Sequence, residues 1–280
     1  MPSLVLTAAI TGGGPPRAKA CWQPADTDAI VAASLAAEAA GAAIIHLHAR
    51  DDATGATTTD PVANAALLRA IRAAGCRAIL NLSAGDDGGR ANHSTRAALV
   101  GCGAEIVSLA GGSFNTGTRL YDNAPVFQRT QARSIAMAGA VPEIEVFDTG
   151  HLAGVYDMLK AGLVRSPPLL CLVFGVSGGM VADPDILGWL VSRLPPQSHW
   201  CVSAQGDDAT ATASLLDVAL ALGGHVRTGI EDSVWLRPGQ RANSTAEQVA
   251  FWADRGRAVG RSPITPAETR RLLHLPATAK

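Results

Sequence analysis

Short apolar runs alternate along the chain with longer alanine-rich stretches whose apolar residues recur at helical spacing. The runs Leu4–Ile10, Ala43–His48, Ala78–Leu82, Glu105–Leu109, Glu143–Phe147, Leu169–Phe174, Trp200–Ser203 and His225–Arg227 have the length of buried strands. Asp26–Ala40, Val62–Ala74, Ser94–Val100 and Ser214–Leu222, which lie between them, read as helices. Strand starts recur about every 32 residues, the size of a strand–helix unit in a parallel sheet. Breakers fall where such units need them. Asp60-Pro61, Asp183-Pro184 and Thr265-Pro266 open helices, and Gly41, Gly75, Gly101 and Gly162 stand where helices should stop. The pattern predicts an α/β (β/α)8 TIM barrel over residues 1–280, with a C-terminal helical extension from about residue 243. An open doubly wound sheet is the alternative. It lacks its usual signature, because the glycines after the first strand read TGGGPP and run into a proline pair instead of a helix.

Composition narrows the function classes. Twenty-three basic and twenty-four acidic side chains give a formal charge of −1, which offers no electrostatic footprint for nucleic acid or an anionic membrane. The opening MPSLVLTAAITGGG has no basic region before its apolar run and reads as a strand rather than a signal peptide. No apolar run is long enough to cross a bilayer. Cys21, Cys76, Cys102, Cys171 and Cys201 form no CxxC pair, so free thiols and a cytoplasmic setting are expected.

Chemistry concentrates at the C-terminal ends of the strands, which form the active face of a barrel of this kind. The strand ends read IIHLHARD, ILNLSAGDD, IVSLAGGSFN, PEIEVFDTGH, FGVSGGM, VSAQGDD and HVRTGIED. Within a strand, His46 and His48 point to the same side and can reach one ion. Two neutral imidazoles and a carboxylate make a common zinc set with one position left open. Glu231 is the best-placed carboxylate; Glu143, Glu145 and Asp148 compete on position alone. Arg50 and Asp51 follow the histidines, either as an ion pair at the barrel mouth or with Arg50 turned to substrate. Arg227 can hold and tune Asp232 or clamp a substrate carboxylate. Three glycine-rich turns, Ser83–Gly85, Ala110–Ser113 and Val176–Gly179, can present backbone amides to an anion. His151 is placed to cap or orient a helix start. No GK[ST] motif is present, and Cys21 has no assigned base. These residues alone describe a metal-dependent barrel enzyme that polarises a carbonyl.

The segments TAAITGG, GAAIIHLHARD, PEIEVFDTGH, LVFGVSGGM, GGHVRTGIEDSV and SPITPAETRRLLHL together make the chain resemble the β-keto acid cleavage enzymes almost end to end. The resemblance implies a zinc-binding TIM barrel that works as a homotetramer. It implies condensation of a β-keto acid with acetyl-CoA as co-substrate, then cleavage to acetoacetate and a new acyl-CoA. By motif position, the zinc ligands are His46, His48 and Glu231, and the arginine–aspartate dyad is Arg227 and Asp232. Ser83, Gly85, Ser108, Glu143, Gly14 and Arg50 fall at substrate-binding positions. The aminohexanoate-cleaving member carries an acidic residue after its first strand, where it meets an ammonium group. Here that loop reads Gly12 to Pro16 and the next charges are Arg17 and Lys19, so a neutral or anionic β-keto acid fits better. Two other readings are a CoA-independent metal-dependent lyase, aldolase or hydrolase acting on a β-dicarbonyl, and a non-enzymatic metal-binding scaffold.

Overall fold

Strands buried on both faces carry near-continuous apolar sequence, and here such runs line up parallel with a helix after each. The computed structural model describes residues 3–14 and 22–275. From the amino terminus come β1 (Leu6–Ala9), α1 (Thr27–Ala39), β2 (Ile44–Leu47), α2 (Pro61–Ala73), β3 (Ile79–Leu82), α3 (His93–Ala98) and β4 (Ile106–Ala110). The hairpin β5 (Phe114–Thr116) and β6 (Arg119–Tyr121) follows, then α4 (Pro125–Met137), β7 (Val141–Val146), α5 (His151–Lys160) and β8 (Leu169–Phe174). The last third holds α6 (Pro184–Val191), β9 (His199–Ala204), α7 (Ala209–Ala221) and β10 (His225–Thr228). It ends with the hairpin β11 (Trp235–Arg237) and β12 (Gln240–Arg241), then α8 (Thr245–Ala258) and α9 (Pro266–Leu272).

Around the ring the strands run β1-β10-β9-β8-β7-β4-β3-β2, each parallel to its neighbours and closed into a TIM barrel. In that order β10, β1 and β2 stand opposite β4, β7 and β8. Helix α8 packs on α1, β1 and β10, taking the eighth position in the outer layer. Beyond it, Leu273 and Leu275 pack with Val5, Ile44, Ile79, Ile106, Val141 and Leu169, closing the bottom of the barrel at the strand starts. The top remains for chemistry.

Asp60 and Asp183 cap α2 and α6 as the sequence predicts, and Thr265 forms a capping box with Glu268 at α9. Each such cap contributes about 1 kcal/mol. Helix α7 begins at Ala209 rather than Ser214, because the Asp208 carboxylate accepts the amides of Thr210 and Ala211. The stop assigned to Gly101 belongs to Gly103: Gly101 lies inside a 3-10 turn, and Gly103 ends it at φ 93°. Cys76, Cys102, Cys171 and Cys201 are buried free thiols; Cys21, Arg17 and Lys19 lie outside the described residues.

Candidate active site

A cleft of about 340 Å³ opens at the C-terminal ends of the barrel strands. One wall is built by β1, β2, β10 and the loops that follow them. His46 lies inside β2, in register with Ala9 on one side and Asn81 on the other. His48 follows the strand and is fixed by Thr11, whose hydroxyl accepts from the His48 amide at 3.1 Å and donates to its carbonyl at 3.0 Å. The two rings meet edge to face at 5.3 Å. Glu231 reaches them from the loop after β10. Its Oε1 lies 3.5 Å from His46 Nε2 and 3.7 Å from His48 Nε2. Gly12 and Gly13 let the loop after β1 lie against this group: a Cβ would stand 3.0 Å from Glu231 Cγ at Gly12 and 2.9 Å from His48 Cε1 at Gly13.

Arg227, 1% exposed, binds the acidic side of the cluster. Nη2 pairs with Glu231 Oε1 and, at 3.1 Å, with Asp232 Oδ1, while Nε donates to Asp232 Oδ2 at 3.2 Å. Nη1 lies 3.6 Å from Glu145 Oε1 and, among the described residues, has no hydrogen-bond partner. Burial opposes ionisation of Glu231, but Arg227 and the two imidazoles outweigh it and hold the carboxyl well below its usual range. Burial also pushes Asp232 up against the pull of Arg227, and raises Glu145 to about 8. His46 is pushed down to about 4 by burial and by Arg227, which leaves a neutral imidazole at pH 7.

This donor set suits a zinc ion. The ligand atoms of His46, His48 and Glu231 lie within 4.8 Å of one another, and His46 Nδ1 is buried without a hydrogen-bond partner among the described residues. Ligands about 2 Å from a tetrahedral ion stand about 3.3 Å apart, close to the two separations above. A divalent charge would also offset the carboxyls crowded around a single guanidinium.

The other positions divide. Ser83, Gly85 and Gly14 line the cleft. Ser83 Oγ accepts from Gly85 N at 3.3 Å, and a Cβ at Gly14 would meet open space. Ser108 is buried behind the β3 turn and accepts from Ala84 N at 3.0 Å. Glu143 is buried in the barrel interior, where Asn81 Nδ2 donates to its Oε2 at 2.7 Å. Asp232 lies behind Arg227 and borders a separate small chamber. Arg50 turns inward instead of pairing with Asp51 across the mouth. It donates to the carbonyls of Gly55, Thr11, Gly12 and Gly14 and so shapes the loop after β1, while Asp51 accepts from Thr54 within its own turn. His151, the first residue of α5, accepts from Phe147 N at 3.3 Å and lies 3.4 Å from the Ser113 carbonyl, tying two mouth loops together.

Sequence reasoning missed the far wall. The β5–β6 hairpin crosses it, with Phe114 stacked on Phe147 at 4.6 Å and Tyr121 edge-on to Phe114 at 5.7 Å. Arg119 on β6 forms a two-pronged ion pair with Asp86 from the loop after β3. The Thr-Gly turn inside NTGTRLY was the available signal for the hairpin.

The family model described as beta-keto acid cleavage enzyme matches residues 3–275. A Rhizobium meliloti protein named 3-dehydrocarnitine:acetyl-CoA trimethylamine transferase is 33% identical, over 96% of each chain. A Cupriavidus necator protein named 3-oxoadipate:acetyl-CoA acetyltransferase is 32% identical, over 98% of this chain and 95% of its own. The 3-keto-5-aminohexanoate cleavage enzyme of Acetoanaerobium sticklandii is also 32% identical, over 98% of both. Among solved structures, the binary complex of ObcA with oxaloacetate superposes with a TM-score of 0.75 at 23% identity, over 91% of this chain and 68% of that one. That likeness concerns the fold alone.

Proposed function

The chain belongs to the β-keto acid cleavage enzyme family, and from that premise we propose that it is a zinc-dependent enzyme condensing a β-keto acid with acetyl-CoA and splitting the adduct into acetoacetate and a new acyl-CoA. One observation carries the reading. The His46–His48–Glu231 group and the buried, unfilled Nη1 of Arg227 share one end of a cleft large enough for a small acid. The transferase names of the curated relatives support acetyl-CoA as co-substrate.

His46, His48 and Glu231 would hold the zinc, which when bound acts as a Lewis acid on the substrate's oxygens and acidifies the carbon between its two carbonyl groups. Arg227 offers Nη1 to a substrate oxygen, and its charge opposes the rise that burial imposes on Asp232. Asp232 takes the proton from the acidified carbon as general base, its basicity raised by burial. The carbanion attacks the acetyl carbonyl, forming a carbon–carbon bond as the carbon–sulfur bond of acetyl-CoA breaks. The released thiolate then attacks the original keto carbon. The bond between that carbon and its neighbour breaks, acetoacetate leaves as its enolate and regains a proton, and the acyl group remains on CoA. Ser83 donates to a substrate oxygen from the cleft wall, with Gly85 and Gly14 leaving room for the substrate. Ser108 and Arg50 position the surrounding loops, and Glu143 braces the floor through Asn81.

The same reading assigns a cytoplasmic homotetramer, supported by the buried free thiols and by exposed Val62, Val126 and Met137. The test is mass spectrometry of CoA esters after zinc-supplied protein meets acetyl-CoA and a panel of β-keto acids. A new acyl-CoA formed together with acetoacetate is the expected result. Substrate loss without a new thioester would replace the proposal with the CoA-independent lyase.

A further inference from the structure

We propose that the Asp86–Arg119 pair sets which β-keto acids the cleft accepts, admitting tails without net charge and turning away both diacids and ammonium-bearing acids. The inference rests on the reaction proposed above and specifies its substrate class.

The topology separates the two ends of the substrate. The metal-ligand group hangs from β2 and β10, and the strands opposite are β8 and β4, with β7 between them. A β-keto acid whose oxygens face His46, His48, Glu231 and Arg227 therefore points its tail at the wall carried by β4, β7 and β8. That wall is apolar, made of Phe114, Phe147, Val173 and Val176. Beyond the catalytic end, where Glu145 leans on Arg227, the charged side chains lining the cleft among the described residues are Asp86 and Arg119. They neutralise each other. Arg119 gives Nη1 and Nη2 to the two carboxylate oxygens of Asp86, so each group has committed its charge to the other.

A charged tail entering such a place leaves water and meets an occupied partner, and burying an uncompensated charge is costly. An uncharged tail loses nothing of that kind and gains contact with the aromatic and branched side chains. The two residues also lie 33 positions apart, Asp86 on the loop after β3 and Arg119 on β6. Each side chain can be neutralised separately, and the two changes have opposite signs: loss of the Asp86 charge frees a guanidinium for a distal carboxylate, and loss of the Arg119 charge frees a carboxylate for an ammonium group.

The experiment compares three β-keto acids of equal chain length, with an alkyl, a carboxylate and an ammonium terminus, on wild-type protein, Asp86→Asn and Arg119→Gln. Turnover is read as acyl-CoA formation, and binding by calorimetry without acetyl-CoA. In the wild type the alkyl acid should lead both charged acids by about 10-fold or more in kcat/KM and in affinity. Asp86→Asn should raise the diacid-to-alkyl ratio about 10-fold, and Arg119→Gln the ammonium-to-alkyl ratio by a similar factor. A wild-type preference for either charged acid overturns the inference. So does a parallel fall for all three acids in both variants, which would make the pair a latch for the hairpin. If the acids bind in the expected order but no acyl-CoA forms, the proposed reaction falls and the selectivity stands.

Discussion

At Arg227 one guanidinium faces Glu145, Glu231 and Asp232 in a buried space, and the three carboxyls respond differently. Glu231 is held ionised where a cation ligand is wanted, whereas burial keeps Glu145 protonated up to about 8. Asp232→Asn keeps the volume and removes the charge, so kcat should fall by about 10²–10⁴-fold. Zinc content per chain, measured by elemental analysis, should stay at the wild-type level. His46→Ala should instead lose the zinc. If Asp232→Asn kept wild-type turnover, the base would have to be sought elsewhere. The ligand group was legible because polar residues ending apolar strands stand out, and HxH on a strand has one geometric meaning. Arg50 was legible as important but not in its role, since nothing in the sequence tells a guanidinium facing substrate from one spent on the carbonyls of Thr11, Gly12 and Gly14.

The β5–β6 hairpin is the element that turns an open barrel mouth into a cleft. It is anchored on one side by Arg119 to Asp86 and on the other by the loop after β8, where Gly117 N lies 3.3 Å from Ser177 O. Gly178, at φ 85°, lets that loop approach so closely that a Cβ there would run into the Asn115 carbonyl of the hairpin. Gly178→Ala should therefore displace the hairpin, lowering kcat/KM about 10-fold or more with a melting point a few degrees lower. Wild-type kinetics in that variant would mean that the hairpin's position is immaterial. Most of the barrel strands were readable because they are buried apolar runs, whereas the hairpin strands are short, half-exposed and carry no such run. The Asp86–Arg119 contact joins the loop after β3 to β6, and local pattern holds no record of it.

Across the whole molecule the two ends of the barrel have separate tasks. The bottom is closed by Leu273 and Leu275 against the strand starts, and the top gathers His46, His48, Glu145, Arg227 and Glu231 around the cleft. No helix among the described residues is long and apolar enough to cross a membrane. The order of bond making in the proposed reaction fixes the fate of every carbon, so isotope tracing tests it most directly. Zinc-supplied protein would be given acetyl-CoA labelled with carbon-13 in both acetyl carbons, together with an unlabelled alkyl β-keto acid. Both labelled carbons should appear in acetoacetate, and the new acyl-CoA should be unlabelled. Label in the new acyl-CoA, or acetoacetate without label, would contradict that order.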